Sequence, residues 1–79
     1  MTDTRSELLA EAALYRRLPA ARQRVRIREA AGVTQKQMAG ALGVSPMTLW
    51  RWEQGVRPRP RHARPYLELL EELEQLVAA

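Results

Sequence analysis

The sequence lacks cysteine, histidine clusters and long apolar runs, and each absence removes a class of protein. Without cysteine the chain has neither a disulfide framework nor a thiolate metal site. Its one histidine, His62, cannot form a metal-binding cluster with others. No apolar run approaches the roughly 20 residues that span a bilayer, and the first residues do not resemble a secretion signal. We therefore expect a soluble, cytoplasmic protein that holds no metal or other cofactor and contacts no membrane.

The length of 79 residues fits one domain and leaves no room for a second. A domain this short has a small core, so burial against a partner would add usefully to its stability. Catalysis needs a base, a nucleophile or a metal in a pocket. With one histidine, no cysteine and no glycine-rich phosphate loop, the sequence argues against an enzyme and offers no catalytic residue.

Charge is distributed unevenly along the chain. The net charge is +4, but residues 16–64 carry twelve basic residues against two acidic ones, Glu29 and Glu53. Residues 1–15 and 65–79 are mildly acidic, with net charges of −2 and −4. A basic block between acidic ends is typical of a protein that binds a polyanion. By itself this pattern also describes an ordinary solvated surface.

Few glycines, many Ala, Leu, Glu and Arg, and no alternating β-branched runs predict an all-α fold. Helix ends are marked by hydroxyl caps at Thr4, Thr34 and Ser45 and by glycines that favour a left-handed conformation, Gly32 and Gly43. The predicted helices run from just after Thr4 to about Arg17, Ala20 to Ala31, Thr34 to Leu42, Ser45 to Gln54, and from a start between Arg61 and Pro65 to Val77. Residues 56–60 form a proline- and arginine-rich loop.

These helices divide the chain into three segments of one domain. Residues 1–18 form an N-terminal helix whose role is open, residues 20–60 a core, and residues 61–79 an amphipathic C-terminal helix. Within the core, two short helices joined by a glycine-containing turn, at about residues 34–54, have the form of a helix-turn-helix. Apolar or small residues stand where the two helices must pack, with glycine in the turn; they are Met38, Ala39, Leu42, Gly43, Val44, Leu49 and Trp52.

The stretches from Thr34 to Ser45 and from Trp50 to Gly55 resemble the helix-turn-helix of the Xre-like family, which includes phage repressor and Cro-type proteins. The resemblance covers roughly residues 20–60. It implies a compact bundle of about five helices, cytoplasmic and usually dimeric on operator DNA. The implied function is sequence-specific binding of double-stranded DNA in transcription regulation, as a small repressor or Cro-like regulator of a phage or bacterium. Arg24 departs from the family pattern, since an apolar core residue often stands at its position.

In this family the second helix of the motif lies in the major groove and reads base edges. Carried over, the base-reading residues are Pro46, Met47, Trp50 and Arg51. Arg51 suits a guanine, whose O6 and N7 a guanidinium can contact together. The apolar side chains of Pro46 and Met47 suit a thymine methyl. Trp52 faces the core, whereas Trp50 points outward, toward a groove, a sugar, the loop or a partner.

The resemblance also implies contacts with the DNA backbone. Gln35 matches a family glutamine that holds a phosphate at a helix N-terminus, although a simple capping role also fits it. Ser45 can cap its helix and touch a phosphate, and Glu53 is expected to orient an amide or an arginine, since it would repel phosphate. The complete phosphate-contacting set is Gln35, Ser45, Thr48, Arg57, Arg59 and Arg61.

Two further functions and two arrangements of the last helix stay open. A protein-interaction module such as an antitoxin, which also binds its operator, uses the same fold, and so does an architectural DNA binder without sequence preference.

We expect a homodimer, with Leu67, Leu76 and Val77 facing the second subunit while Tyr66, Leu70 and Leu73 fill the core. Alternatively, the whole apolar stripe packs inward against Leu8, Leu9 and Ala12.

Overall fold

The computed structural model describes residues 3–79, and within this range the chain forms five α-helices and no strand. The all-α prediction with about five helices is confirmed. The first two residues of the predicted N-terminal segment lie outside the described residues. The helices are α1 (Thr4–Arg17), α2 (Ala21–Ala30), α3 (Gln35–Leu42), α4 (Pro46–Glu53) and α5 (Pro60–Ala78).

The start of α1 differs by one residue from the prediction. The N-cap is Asp3, and its carboxylate accepts hydrogen bonds from the Arg5 amide (3.1 Å) and the Ser6 hydroxyl (3.3 Å). A carboxylate at this position satisfies an unpaired amide and also complements the positive end of the helix dipole. Thr4, predicted as the cap, is therefore the first helical residue.

The last helix begins earlier than predicted, at Pro60, and passes through Pro65. Proline is well suited to the first helical position, because its fixed φ angle is helical and its missing N–H has no partner there anyway. Pro65, by contrast, interrupts the backbone hydrogen bonding in the second turn. Pro65 and Arg61, whose carbonyl would have accepted that bond, are both exposed residues.

The main core lies where α2, α3, α4 and α5 meet. Tyr66 and Leu70, predicted to fill the core, are fully buried there, and Leu73 packs at its edge. The buried members of this core are Ile27, Met38, Ala39, Leu49, Trp52, Tyr66 and Leu70. It is thus built from the helix-turn-helix and the two helices that support it.

A second, smaller cluster packs α1 against α5. Its composition shows that two predictions about the packing of α5 are wrong. It consists of Leu14, Ala63 and Leu67. Leu67, predicted to face a second subunit, is only 3% exposed because it packs on Leu14 within the same chain. The alternative inward packing is wrong as well, since Leu8 and Leu9 are 64% and 60% exposed. The reason is that α1 presents Leu14 to α5, on the side of the helix away from Leu9.

The other two residues predicted at a subunit interface, Leu76 and Val77, are exposed near the end of α5. Among the helices of residues 3–79, none is both long and apolar enough to cross a membrane.

Candidate nucleic-acid interface

The two helices of the motif, α3 and α4, each begin directly after a capping residue with a hydroxyl side chain. The Thr34 hydroxyl accepts from the Gln37 amide (3.0 Å), and the Gln37 side chain accepts from the Thr34 amide (2.9 Å), which completes a capping box. Ser45 caps α4 by accepting from the Thr48 amide (3.1 Å), with Pro46 at the first helical position. These predicted caps are confirmed.

Gly43 ends α3 with a φ of +69°, in the left-handed region that disfavours side chains. An added Cβ would meet no atom within 4 Å, so glycine is required here by the backbone conformation and not by space. The positive φ turns the chain so that α4 crosses α3 instead of continuing it. The turn predicted at this glycine is confirmed.

Helix α4 has one buried face and one exposed face. Leu49 and Trp52 are buried in the core, as is the side chain of Glu53. The exposed face carries all four predicted base-reading residues, with Thr48 half-buried at its margin. Trp50 is 47% exposed and Trp52 only 4%, so their predicted orientations are confirmed. The exposed members of this surface are Pro46, Met47, Trp50 and Arg51.

A buried ion pair holds α4 against α2. Arg28 donates from Nε to Glu53 Oε2 (2.6 Å) and from Nη2 to Glu53 Oε1 (3.0 Å), a two-bond geometry between buried side chains. The hydrogen bond to Glu53 raises the pKa of Arg28. Arg28 Nη1 also donates to the Val33 carbonyl (2.9 Å), in the turn before α3. The interpretation that Glu53 orients an arginine is confirmed.

Gln35 joins this network from the first turn of α3. Its Nε2 donates to Glu53 Oε1 (2.8 Å), so the amide links α3 to α4, a contact that the sequence did not indicate. The half-buried side chain stands beside Pro46, Met47 and Trp50, at the edge of the exposed face of α4. A phosphate contact by Gln35 stays a prediction.

An arginine cleft joins α4 to the loop that follows it. Four arginines line it, and no acidic residue does. Arg57, Arg59 and Arg61, predicted to contact phosphates, come together here with Arg51 and Thr48. Ser45 lies next to this set, with its hydroxyl 2.9 Å from that of Thr48. The complete lining is Thr48, Arg51, Trp52, Val56, Arg57, Arg59, Arg61 and His62.

The loop that carries Arg57 and Arg59 is held in place by α1. The Tyr15 hydroxyl donates to the carbonyl of Pro58 (2.6 Å), and the Arg57 guanidinium carbon lies 4.2 Å from the centre of the Tyr15 ring. Pro58 itself is fully buried. The N-terminal helix, whose role the sequence leaves open, thus fixes the loop. Sequence reasoning missed Tyr15, because a contact between residues 15 and 58 has no local signature.

Arg24, which departs from the family pattern, is buried without an acidic partner. Its Nη2 donates to the Trp52 carbonyl (2.8 Å) and its Nη1 to the Pro19 carbonyl (2.5 Å). The guanidinium carbon also lies 5.5 Å from the centre of the Tyr66 ring. Burial raises the pKa of Tyr66, so this phenol stays neutral in the core. Arg24 therefore replaces apolar packing with hydrogen bonds, one to the C-terminal end of α4 and one to the segment before α2.

Comparison with known proteins agrees with this geometry. A protein-family model described as a helix-turn-helix domain matches residues 16–79, which include all of α2 to α5. No curated protein and no solved structure matches the chain. The chain belongs to the helix-turn-helix family, and most of α1 lies outside the match.

Proposed function

We propose that this helix-turn-helix protein binds double-stranded DNA at specific sequences and regulates transcription as a small cytoplasmic repressor of the Xre-like or Cro-like kind. The observation that carries the proposal is the exposed face of α4. Its four predicted base-reading side chains face solvent beside the arginine cleft, while the opposite face is buried. A helix presented in this way fits the major groove, which is wide enough to admit it.

Electrostatics supports the same partner. Residues 16–64 hold twelve of the thirteen basic residues of the chain and only two acidic ones. Of these two, Glu53 is already neutralised by Arg28 in the interior. No acidic residue lines the arginine cleft, so its positive charge is uncompensated there and attracts a polyanion.

Within this proposal the residues divide into two roles. Arg51 pairs with a guanine, and Pro46, Met47 and Trp50 contact neighbouring bases. The remaining residues fix the position of the protein on the sugar–phosphate backbone, which carries no sequence information itself. They are Gln35, Ser45, Thr48, Arg57, Arg59 and Arg61.

The proposal is for binding and not for catalysis. The one histidine, His62, is half-buried with its ring 5.6 Å from that of Trp52, and the chain has no cysteine. The functional surface is a convex helix beside an open, arginine-lined cleft, which suits a duplex better than a small substrate.

The experiment that tests the function is selection of bound duplexes from a random pool. We expect a short motif containing guanine, arranged as two half-sites about one helical turn apart. Binding to the selected duplex should weaken with salt, at a log–log slope near −0.9 for each phosphate contacted. Enrichment of no motif, or an affinity independent of salt, would contradict the proposal.

Arg51→Ala and Arg59→Ala should have different effects on this binding. Without Arg51, discrimination at one guanine should fall by roughly 1–3 kcal/mol, while the salt slope changes little. Without Arg59, all sequences should bind more weakly by a similar factor, and the slope should decrease by about one unit. Titrations of matched and mismatched duplexes at several salt concentrations measure both effects. Equal effects of the two variants on discrimination would show that α4 is not the reading element.

We further propose that the protein binds as a homodimer through the end of α5. Leu76 and Val77 are exposed there, and Val77 borders an apolar groove formed with Ile27 and Ala30 of α2. One recognition helix reads only a few base pairs, so two subunits on a symmetric operator increase discrimination.

Deleting residues 76–79 should give a folded monomer, since Leu73 and the core before it are retained. Binding to a symmetric operator should weaken by at least about tenfold, because the second half-site no longer adds to the first. Sedimentation and titration check this result. The control is Leu8→Gln with Leu9→Gln, which replaces two leucines of α1 that are 64% and 60% exposed, against 71% and 49% for Leu76 and Val77. A truncated protein that still dimerises would exclude α5 as the interface.

A further inference from the structure

Arg57 lies between two clefts on the surface of the protein. It lines the arginine cleft beside α4, and it also lines a second cleft whose other residues all belong to α1. In the second cleft its guanidinium carbon lies 4.2 Å from the centre of the Tyr15 ring. One side chain of the proposed DNA interface is therefore in direct contact with the N-terminal helix.

The contact with the ring leaves the hydrogen-bond donors of Arg57 available. A cation over an aromatic ring is attracted by the negative charge of the ring face, and this attraction uses none of its N–H groups. The two ion pairs among residues 3–79 use other arginines, Arg17 and Arg28. Because Arg57 is also exposed, its guanidinium can donate to a phosphate while it stays over the ring.

Ordering Arg57 before DNA binds increases the affinity. An arginine side chain has many rotamers, and fixing it on a phosphate costs conformational entropy that subtracts from the binding free energy. A guanidinium that is already held over a ring has lost part of this freedom in the free protein. The cost at the moment of binding is then smaller.

The ring of Tyr15 is itself held from two sides. Its hydroxyl donates to the carbonyl of Pro58 (2.6 Å), the residue that follows Arg57 in the loop. The half-buried ring also packs against the smaller cluster, which joins α1 to α5. The ring is therefore a fixed surface on which the guanidinium is ordered.

We infer that Tyr15 is a positioning residue of the DNA interface, whose ring holds Arg57 in place for a phosphate contact. This inference rests on the proposed function and gives α1 a role in DNA affinity without any contact of its own with DNA. Tyr15 lies just before residues 16–79, the part that the helix-turn-helix family model matches. The positioning thus comes from a residue that the family match does not include.

The test measures the affinity of full-length variants for the duplex obtained by selection. Tyr15→Leu removes the ring but keeps an apolar contact with the smaller cluster, so the variant should fold, which circular dichroism checks. Its affinity for each half-site should fall about two- to fivefold, the factor expected for an exposed cation–π contact. Tyr15→Phe keeps the ring and should retain most of the wild-type affinity. Leu9→Ala, at an exposed leucine of α1, is the control and should bind as the wild type does.

Combined variants show whether Tyr15 acts through Arg57. In an Arg57→Ala background, Tyr15→Leu and Tyr15→Phe should bind equally, because no guanidinium is left to position. In an Arg59→Ala background their difference should persist, since the ring holds Arg57. A purely structural role of Tyr15 would lower the affinity by the same factor in both backgrounds. Discrimination at the Arg51 guanine should be unchanged in both Tyr15 variants.

A measurement without DNA tests the contact itself. The side-chain protons of Arg57 should show ring-current shifts in the nuclear magnetic resonance spectra of the wild type and of Tyr15→Phe. Tyr15→Leu should lack these shifts. A wild-type spectrum without them would overturn the inference, whatever the DNA affinity.

The outcomes separate this inference from the function on which it rests. A wild-type protein that selects no duplex would overturn both. Sequence-specific binding with equal affinities for Tyr15→Leu and Tyr15→Phe would overturn only the positioning role. The same holds if their difference survives in the Arg57→Ala background, or if Arg57→Ala alone binds as tightly as the wild type.

Discussion

Replacing Arg28 with methionine is expected to destabilise the protein by about 3–5 kcal/mol, because the substitution leaves the buried Glu53 carboxylate without its counterion. The same change removes the hydrogen bond from Arg28 to the Val33 carbonyl. A domain of this size has a total stability of only about 4–12 kcal/mol. Loss of this one side chain therefore removes a large part of it. Urea unfolding followed by circular dichroism measures the change.

The double variant Arg28→Met with Glu53→Leu is the control for this prediction. It removes both charges, so no unpaired ion stays in the interior, and stability should return toward that of the wild type. Gln35 then loses its acceptor, and some destabilisation should persist. A single Arg28 variant that unfolds within about 1 kcal/mol of the wild type would show that water screens the pair.

Replacing Trp52 with alanine is the second change with a large expected effect. The ring is buried between α4 and α5, with its centre 5.1 Å from that of Tyr66 and 5.6 Å from that of His62. Its removal leaves a cavity at the centre of the main core and should cost about 3–5 kcal/mol. The Arg24 hydrogen bond to the residue 52 carbonyl uses the backbone, so alanine retains that acceptor. Thermal unfolding and near-ultraviolet dichroism follow the loss.

Trp50→Ala offers a control of the same chemistry two residues away. Because Trp50 lies on the exposed face, its removal should change stability by no more than about 0.5 kcal/mol. Under the proposed function this variant should instead lose DNA affinity. The two tryptophans thus separate folding from binding. If Trp50→Ala unfolds the protein while Trp52→Ala stays stable, the inner and outer faces of α4 are exchanged.

Features set by residues close together in the chain were accessible from the sequence. Three such features are the capping box at Thr34, the left-handed Gly43 and the Ser45 cap, which Pro46 follows. In each of them the interacting residues are no more than four positions apart in the chain. The faces of α4 follow from helical periodicity, which puts Trp52 inside and Trp50 outside. Even so, the prediction made from local residues was wrong at the start of α1, where Asp3 and not Thr4 caps the helix.

Contacts between distant segments were decided only by the tertiary structure. Arg28 binds Glu53, which is 25 residues away in the chain, and Tyr15 binds Pro58, which is 43 residues away. No local sequence pattern predicts either contact. Leu67 lies inside the molecule because Leu14 covers it. A helical pattern determines which residues share a face. It does not determine which neighbour covers that face, because the free energy of burial depends on apolar area removed from water and not on the identity of the partner.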